Sequence, residues 1–160
     1  MNVHGIMLGK HFSLAELIRS DTALRRGIDN VPNADQIENL ERLVEEILDP
    51  IREMLGTPVV VNSGFRCPAL IRLVGGSGSN PGEKPSAHMD GRAADIVPLG
   101  IPIGVAFDRI RKSALPIDKV ILECNAWIHV QVARERAMPR RIALTASGSP
   151  GAWRYHPVEG

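Results

Sequence analysis

Only two cysteines, Cys67 and Cys124, occur in the 160 residues. That is too few for a disulfide framework, and with no close partner pair they cannot build a cysteine-rich zinc site. Any metal must be held mainly by histidine and carboxylate. The first ten residues have no basic region leading into a long apolar stretch, so no signal peptide is expected. The two thiols are then expected to be reduced, as in a cytoplasm. No run approaches the ~18 apolar residues of a membrane span, so stable membrane insertion is not expected. An excess of one charge is also lacking. Lys and Arg number 19 against 18 Asp and Glu, a net +1, and nucleic acid is not an expected partner.

What is present is ordinary. Hydrophobic residues make up 44% and charged residues 23%, which excludes a mainly disordered, collagen-like or coiled-coil chain. The length fits a single domain, residues 1–160. There is no internal repeat and no low-complexity segment.

Ser13-Leu14-Ala15-Glu16 has the form of a capping box behind Phe12, and predicts a short helix over 14–19. Gly27, Asn30 and Pro32 then break the chain into loop. Asn33 is placed to cap a long helix whose apolar residues recur at helical spacing from Ile37 to Leu55. Pro50 should kink it and Gly56 should end it. Three valines make 58–62 a buried strand, 68–74 one or two helical turns, and 75–85 a Gly/Ser/Pro loop. A strand over 92–97 follows. Pro102 opens a helix to about 113, with Val105, Phe107, Ile110 and Ala114 on one side. Strands are expected over 119–123, 127–133 and 141–146. The order predicts a small α+β domain, an antiparallel or mixed sheet with helices packed on one face. Residues 134–160 carry five arginines against two glutamates, a local +3, leaving about −2 elsewhere. A solvated edge and a fraying terminus account for this stretch; an anionic surface as its partner is the second reading.

The chemistry concentrates in Ser86-Ala87-His88-Met89-Asp90-Gly91-Arg92-Ala93-Ala94-Asp95 and in Trp127-Ile128-His129-Val130-Gln131. His88 ends a loop, Gly91 permits a tight turn, and Asp95 and His129 fall in strands. Two histidines and one carboxylate supply three zinc ligands and leave a fourth position for water, the arrangement of a catalytic site. On spacing alone, a His and an Asp seven residues apart occur often by chance, and ordinary polar loop residues are the first reading. His4, His11 and His156 have no comparable partners.

Ser86-x-His88-x-x-Gly91-x-Ala93-x-Asp95 followed by Trp127-x-His129 resembles the zinc signature of the D-Ala-D-Ala carboxypeptidase / L-alanyl-D-glutamate peptidase family, which belongs to a wider group with lysostaphin-like peptidases and the hedgehog signalling domain. The resemblance extends through Phe12-Ser13-Leu14-Ala15-Glu16-Leu17, Ser20-Asp21-Thr22-Ala23, Gly27-Ile28-Asp29-Asn30-x-Pro32, Asn62-Ser63-Gly64-Phe65-Arg66, Val74-Gly75-Gly76 and Arg140-Arg141-x-x-Leu144-Thr145-Ala146. It covers about residues 12–146, leaving 147–160 as a tail. It implies a hedgehog/D,D-peptidase-like fold with one zinc ion on His88, Asp95 and His129.

The resemblance also assigns roles. Arg66 matches a substrate-binding arginine, and a guanidinium can grip a peptide carboxylate with two hydrogen bonds. Its other reading is an ion pair at a strand end. Ser86 matches a serine that helps hold substrate; its other reading is a cap on the loop before His88. Some relatives place a glutamate three residues before the last histidine, where this chain has Ala126. Glu123, six residues before His129, matches the spacing of the hedgehog branch, and a Cys124-Asn125-Ala126 turn would face both toward the metal. Glu123 is therefore the expected general base. Where other relatives carry a histidine, this chain has Trp127. An Asn near Ile71 and a Gln near Lys119 are missing, and the loop 75–88 is long, with 80–85 as the extra stretch.

Relatives of this kind cut the stem peptides of bacterial walls. The resemblance implies a zinc metallopeptidase of phage endolysin type acting on peptidoglycan at the L-alanyl-D-glutamate bond. The alternatives are a D-Ala-D-Ala carboxypeptidase or D,D-endopeptidase on the same stem, or a zinc-stabilised murein-binding module without catalysis. It would be a monomer made in a host cytoplasm and acting on the wall in the periplasm after release.

Overall fold

The computed structural model describes residues 2–149 and 151–160. Ser13 caps α1 (Leu14–Ile18) through the expected box, its side chain accepting from the Glu16 N–H while Glu16 reaches back. A helix absent from the sequence reading follows, α2 (Asp21–Arg26), capped by Ser20 and ended by Gly27 in the left-handed conformation. Only Ala23 of its six residues is buried, so no apolar stripe announced it. Asn33 caps α3 (Ala34–Leu43). The helix continues through a π-helical turn (Val44–Leu48) into α4 (Asp49–Leu55), which Gly56 ends. Pro50 has no N–H to donate, and the register is let out just before it, where the Asp49 N–H reaches the Val44 carbonyl five residues back.

The rest comprises β1 (Val59–Ser63), α5 (Pro68–Val74), β2 (Ala93–Pro98), α6 (Ile103–Lys112), β3 (Ile117–Glu123), β4 (Trp127–Val132), β5 (Ile142–Ser147) and β6 (Arg154–Pro157). The six strands form one mixed sheet in the order β1-β2-β4-β3-β5-β6, with β3 and β5 parallel and the other neighbours antiparallel. This is the expected α+β architecture.

Three expectations change. The valine run is an edge strand with only Val59 buried, because β1 has a neighbour on one side alone. Val105 is exposed, and α6 buries Ala106, Phe107 and Ile110 instead. The expected tail contains β6, whose four residues are all exposed and therefore carried no strand pattern.

Directly paired residues share a face, and successive residues alternate faces. Ala94, Ile96, Val120, Leu122, Ile128 and Val130 point one way and form the core with Leu17, Leu40, Leu43, Ile47, Ile51, Phe107 and Ile110 of the helices. Asp95, His129 and Ile121 lie in one row across the opposite face, which starts at Ser63 and continues through Leu144 to Pro157. The adjacent row is Trp127, Glu123, Ala146 and Tyr155. The chemistry-bearing residues thus stand on the face that the core helices leave uncovered. No helix among the described residues is long and apolar enough to cross a membrane.

Candidate metal centre

Asp95 and His129 are cross-strand partners on β2 and β4. His88 joins them from a turn that is pinned on several sides. Gln36 Nε2 donates to the Met89 carbonyl at 3.0 Å and Asn39 Nδ2 to the Asp90 carbonyl at 2.9 Å, both from α3. Gly91 has φ +77° and lies so close to α3 that a Cβ would stand 2.5 Å from the Gln36 carbonyl oxygen. Gly64 is equally constrained, since a Cβ there would meet the Leu17 carbonyl oxygen at 2.3 Å. Asn30 ties the same region down: its amide donates to the Ile18 and Phe65 carbonyls and its oxygen accepts from the Cys67 N–H. The Gly27-Ile28-Asp29-Asn30 motif therefore serves the site from a distance, by holding the segment that carries Gly64 and Arg66.

The hydrogen bonds fix how each imidazole is presented. His88 Nδ1 lies 2.7 Å from the Gly64 carbonyl, which only accepts, so Nδ1 carries the proton and Nε2 has the free lone pair. His129 is set by a longer relay. Arg140 donates to the buried Asp118 from its backbone N–H, Nε and Nη2, the last at 2.6 Å. Burial alone would push the Asp118 carboxyl up, but the Arg140 hydrogen bonds outweigh it and hold the pKa at about 2. The Asp118 carboxylate accepts from Gln131 Nε2 at 2.8 Å. Gln131 must therefore turn Oε1 toward His129 Nε2, 3.3 Å away, and that nitrogen carries the proton. Nδ1 of His129 has the free lone pair.

Three acceptors then converge: His88 Nε2, His129 Nδ1 and Asp95 Oδ1. They lie within 4.8 Å of one another and are all buried. Asp95 Oδ1 is 3.4 Å from His88 Nε2 and 3.1 Å from His129 Nδ1. Two ligands each ~2.1 Å from a tetrahedral zinc stand roughly 3.4 Å apart. Lone pairs facing each other at these distances need a cation between them, so the donor set fits a divalent metal. Burial lowers the His88 pKa and favours the neutral imidazole a metal requires.

Arg66 and Glu123 flank this cluster. Arg66 Nη2 donates to Asp95 Oδ2 at 3.2 Å and Nε to the Ser63 hydroxyl, so the ion-pair reading of Arg66 is realised, with a metal-ligand candidate as its partner. Ser86 Oγ accepts from the His88 N–H at 3.2 Å, the capping role. Glu123 ends β3, and the expected turn returns the chain to β4 with Cys124 and Asn125 at φ 51° and 53°. Glu123 is a diagonal neighbour of His129 on the same face, roughly 7–8 Å away between Cα atoms. Its carboxyl is raised, first by burial and then by the charge of Asp95. Cys67 and Cys124 are both free.

Two parts of the site escaped the sequence reading. One is the Gln131-Asp118-Arg140 relay, whose members come from three separate stretches. The other is Tyr155 of β6, in the row of Glu123, whose phenol is raised by partial burial and by the charges of Glu123 and Asp95. Arg141, in the same basic stretch as Arg140, donates to the Leu115 and Ser113 carbonyls, so both guanidinium groups hold hydrogen bonds within the chain while staying at its surface.

No curated protein matches the chain. The family model described as Peptidase M15 matches residues 10–131 and so spans α1 to β4, including His88, Asp95, Glu123 and His129. With most of its length matched and a buried His-Asp-His cluster inside the matched segment, this chain belongs to the Peptidase M15 family.

Proposed function

We propose that this protein is a zinc-dependent peptidoglycan peptidase of phage endolysin type that hydrolyses the L-alanyl-D-glutamate bond of the stem peptide. The observation that carries the reading is the convergence of three metal-ready lone pairs with one raised carboxyl on the uncovered face. Arg66 and the sequence motifs support a peptide bearing carboxylates as the substrate.

His88, Asp95 and His129 would hold the zinc, which when bound polarises a carbonyl and makes water a nucleophile at neutral pH. Glu123 takes a proton from the attacking water and delivers it to the leaving amine. A carboxyl raised by burial suits both halves of that exchange, because it holds a proton more readily than an exposed glutamate. Arg66 has N–H groups beyond the two that bind Asp95 and Ser63, and these receive a substrate carboxylate. The Gly64 carbonyl and Gln131 keep the two imidazoles in the required tautomers.

The test is a disaccharide-pentapeptide containing both candidate bonds, incubated with zinc-loaded protein and with a Glu123→Ala control, the products weighed by mass spectrometry. Release of the peptide beyond L-alanine is expected. Loss of one D-alanine would make it a carboxypeptidase. No product from zinc-loaded protein would leave a cross-link-specific endopeptidase or a binding module.

A further inference from the structure

A groove of about 630 Å³ lies beside β1, on the flank away from β2, and its lining includes Val60, Val61, Asn62 and Ser63 in succession. Side chains of a strand alternate between faces, so four consecutive residues line one groove only where it follows the strand's edge. Along that edge alternate N–H and C=O groups have no strand to pair with. Among the described residues no hydrogen bond from outside the sheet reaches the backbone of residues 59–62.

One end of the groove, at Ser63 and Arg66, abuts the metal centre. Ser63 pairs with Asp95 across the ladder, and Arg66, which lines the groove, donates to Asp95 Oδ2. The far wall is α2 and the residues leading into it. It brings Arg19 and Arg25, with Asp21 as the one acidic group in the lining. Asp21 pairs with Arg19 at 3.4 Å, and Arg25 has no ion-pair partner among the described residues. Three arginines against one aspartate make this an anion-attracting groove, and Leu70 adds an apolar wall.

We propose that the substrate peptide lies here in extended form, as an added strand on β1, with its carboxylates on Arg25 and Arg19 and its main chain leading to the metal centre at Ser63. The proposal rests on the peptidase reading and names how that site takes its substrate. From Val60 to Ser63 is three strand steps, ~10 Å, so the groove engages roughly three residues on one side of the cleaved bond. Main-chain pairing supplies affinity and the arginines supply selection for acidic residues.

Steady-state kinetics on the disaccharide-pentapeptide test it, with amide hydrogen exchange of the intact protein measured with and without the same peptide. Arg25→Ala should raise KM about fivefold and R19A/R25A about tenfold or more, with kcat held. Arg25→Lys should recover most of the loss. Exchange should slow at residues 59–63 when peptide is added. A KM within twofold of wild type in R19A/R25A, or cleavage without protection at β1, would overturn the proposal while leaving the peptidase reading intact. If the unmodified protein does not cleave this pentapeptide, the L-alanyl-D-glutamate reading falls instead, and protection at β1 still decides whether the groove takes an acidic peptide.

Discussion

Two faces of one sheet, separated by a single step along the chain, do opposite work. On β4, Ile128, Val130 and Val132 point into the core while Trp127, His129 and Gln131 point away from it. On β2, Ala94 and Ile96 flank Asp95 in the same manner. Each metal-ligand candidate on a strand is therefore held between two core residues. The packing that stabilises the fold also fixes the positions of the ligand atoms, and a one-residue slip would turn the strand ligands toward the helices and the core residues toward the metal face.

The widest separation between the faces should come from His88→Ala. Cleavage should fall by about 10³-fold or more, and metal content measured on the purified protein should drop to near zero, because a two-ligand site does not retain the ion. Its melting temperature without metal should change little beside that loss. A core substitution one residue from a ligand should do the reverse. Ile128→Ala removes a fully buried side chain and should cost ~2–4 kcal/mol in denaturant unfolding, while protein that remains folded still binds one metal.

Gln131→Leu sharpens the contrast, since it keeps the volume but removes the acceptor that fixes His129. Metal affinity, measured by competition with a chelator, should weaken about 10–100-fold. Retained affinity would mean that His129 finds its tautomer unaided.

The smallest effect concerns acid. The folded pKa of Asp118 lies below its unfolded value, so its contribution is present above about pH 4 and is lost as pH falls toward about 2. Asp118→Asn should remove that part of the pH dependence, worth roughly 1–2 kcal/mol, in acid unfolding curves.

Local signals in the sequence were legible where the physics is local. The Ser13 and Asn33 boxes, the apolar spacing of α3 through α4, and the Gly56 stop each depend on residues within a turn or two. The ligand set was legible only through the family resemblance: β2 and β4 present Asp95 and His129, but His88 comes from a turn, and the spacing alone did not single the three out. Sheet order was not: three valines favour a strand equally at an edge or in the centre, and only the pairing of β1 with β2 alone decides which. β6 was hidden because an exposed outer strand needs no hydrophobic alternation. The relay behind His129 joins residues 118, 131 and 140, and no short window contains it.

The sheet also has two ends that are not alike. β6 is four residues long, bears Arg154 and His156, and finishes at Pro157, which has no N–H to offer another strand. β1 remains able to pair. In the language of polymer chemistry the two ends differ in functionality: β1 offers its edge unblocked, while β6 is short and lacks the donor that Pro157 cannot supply.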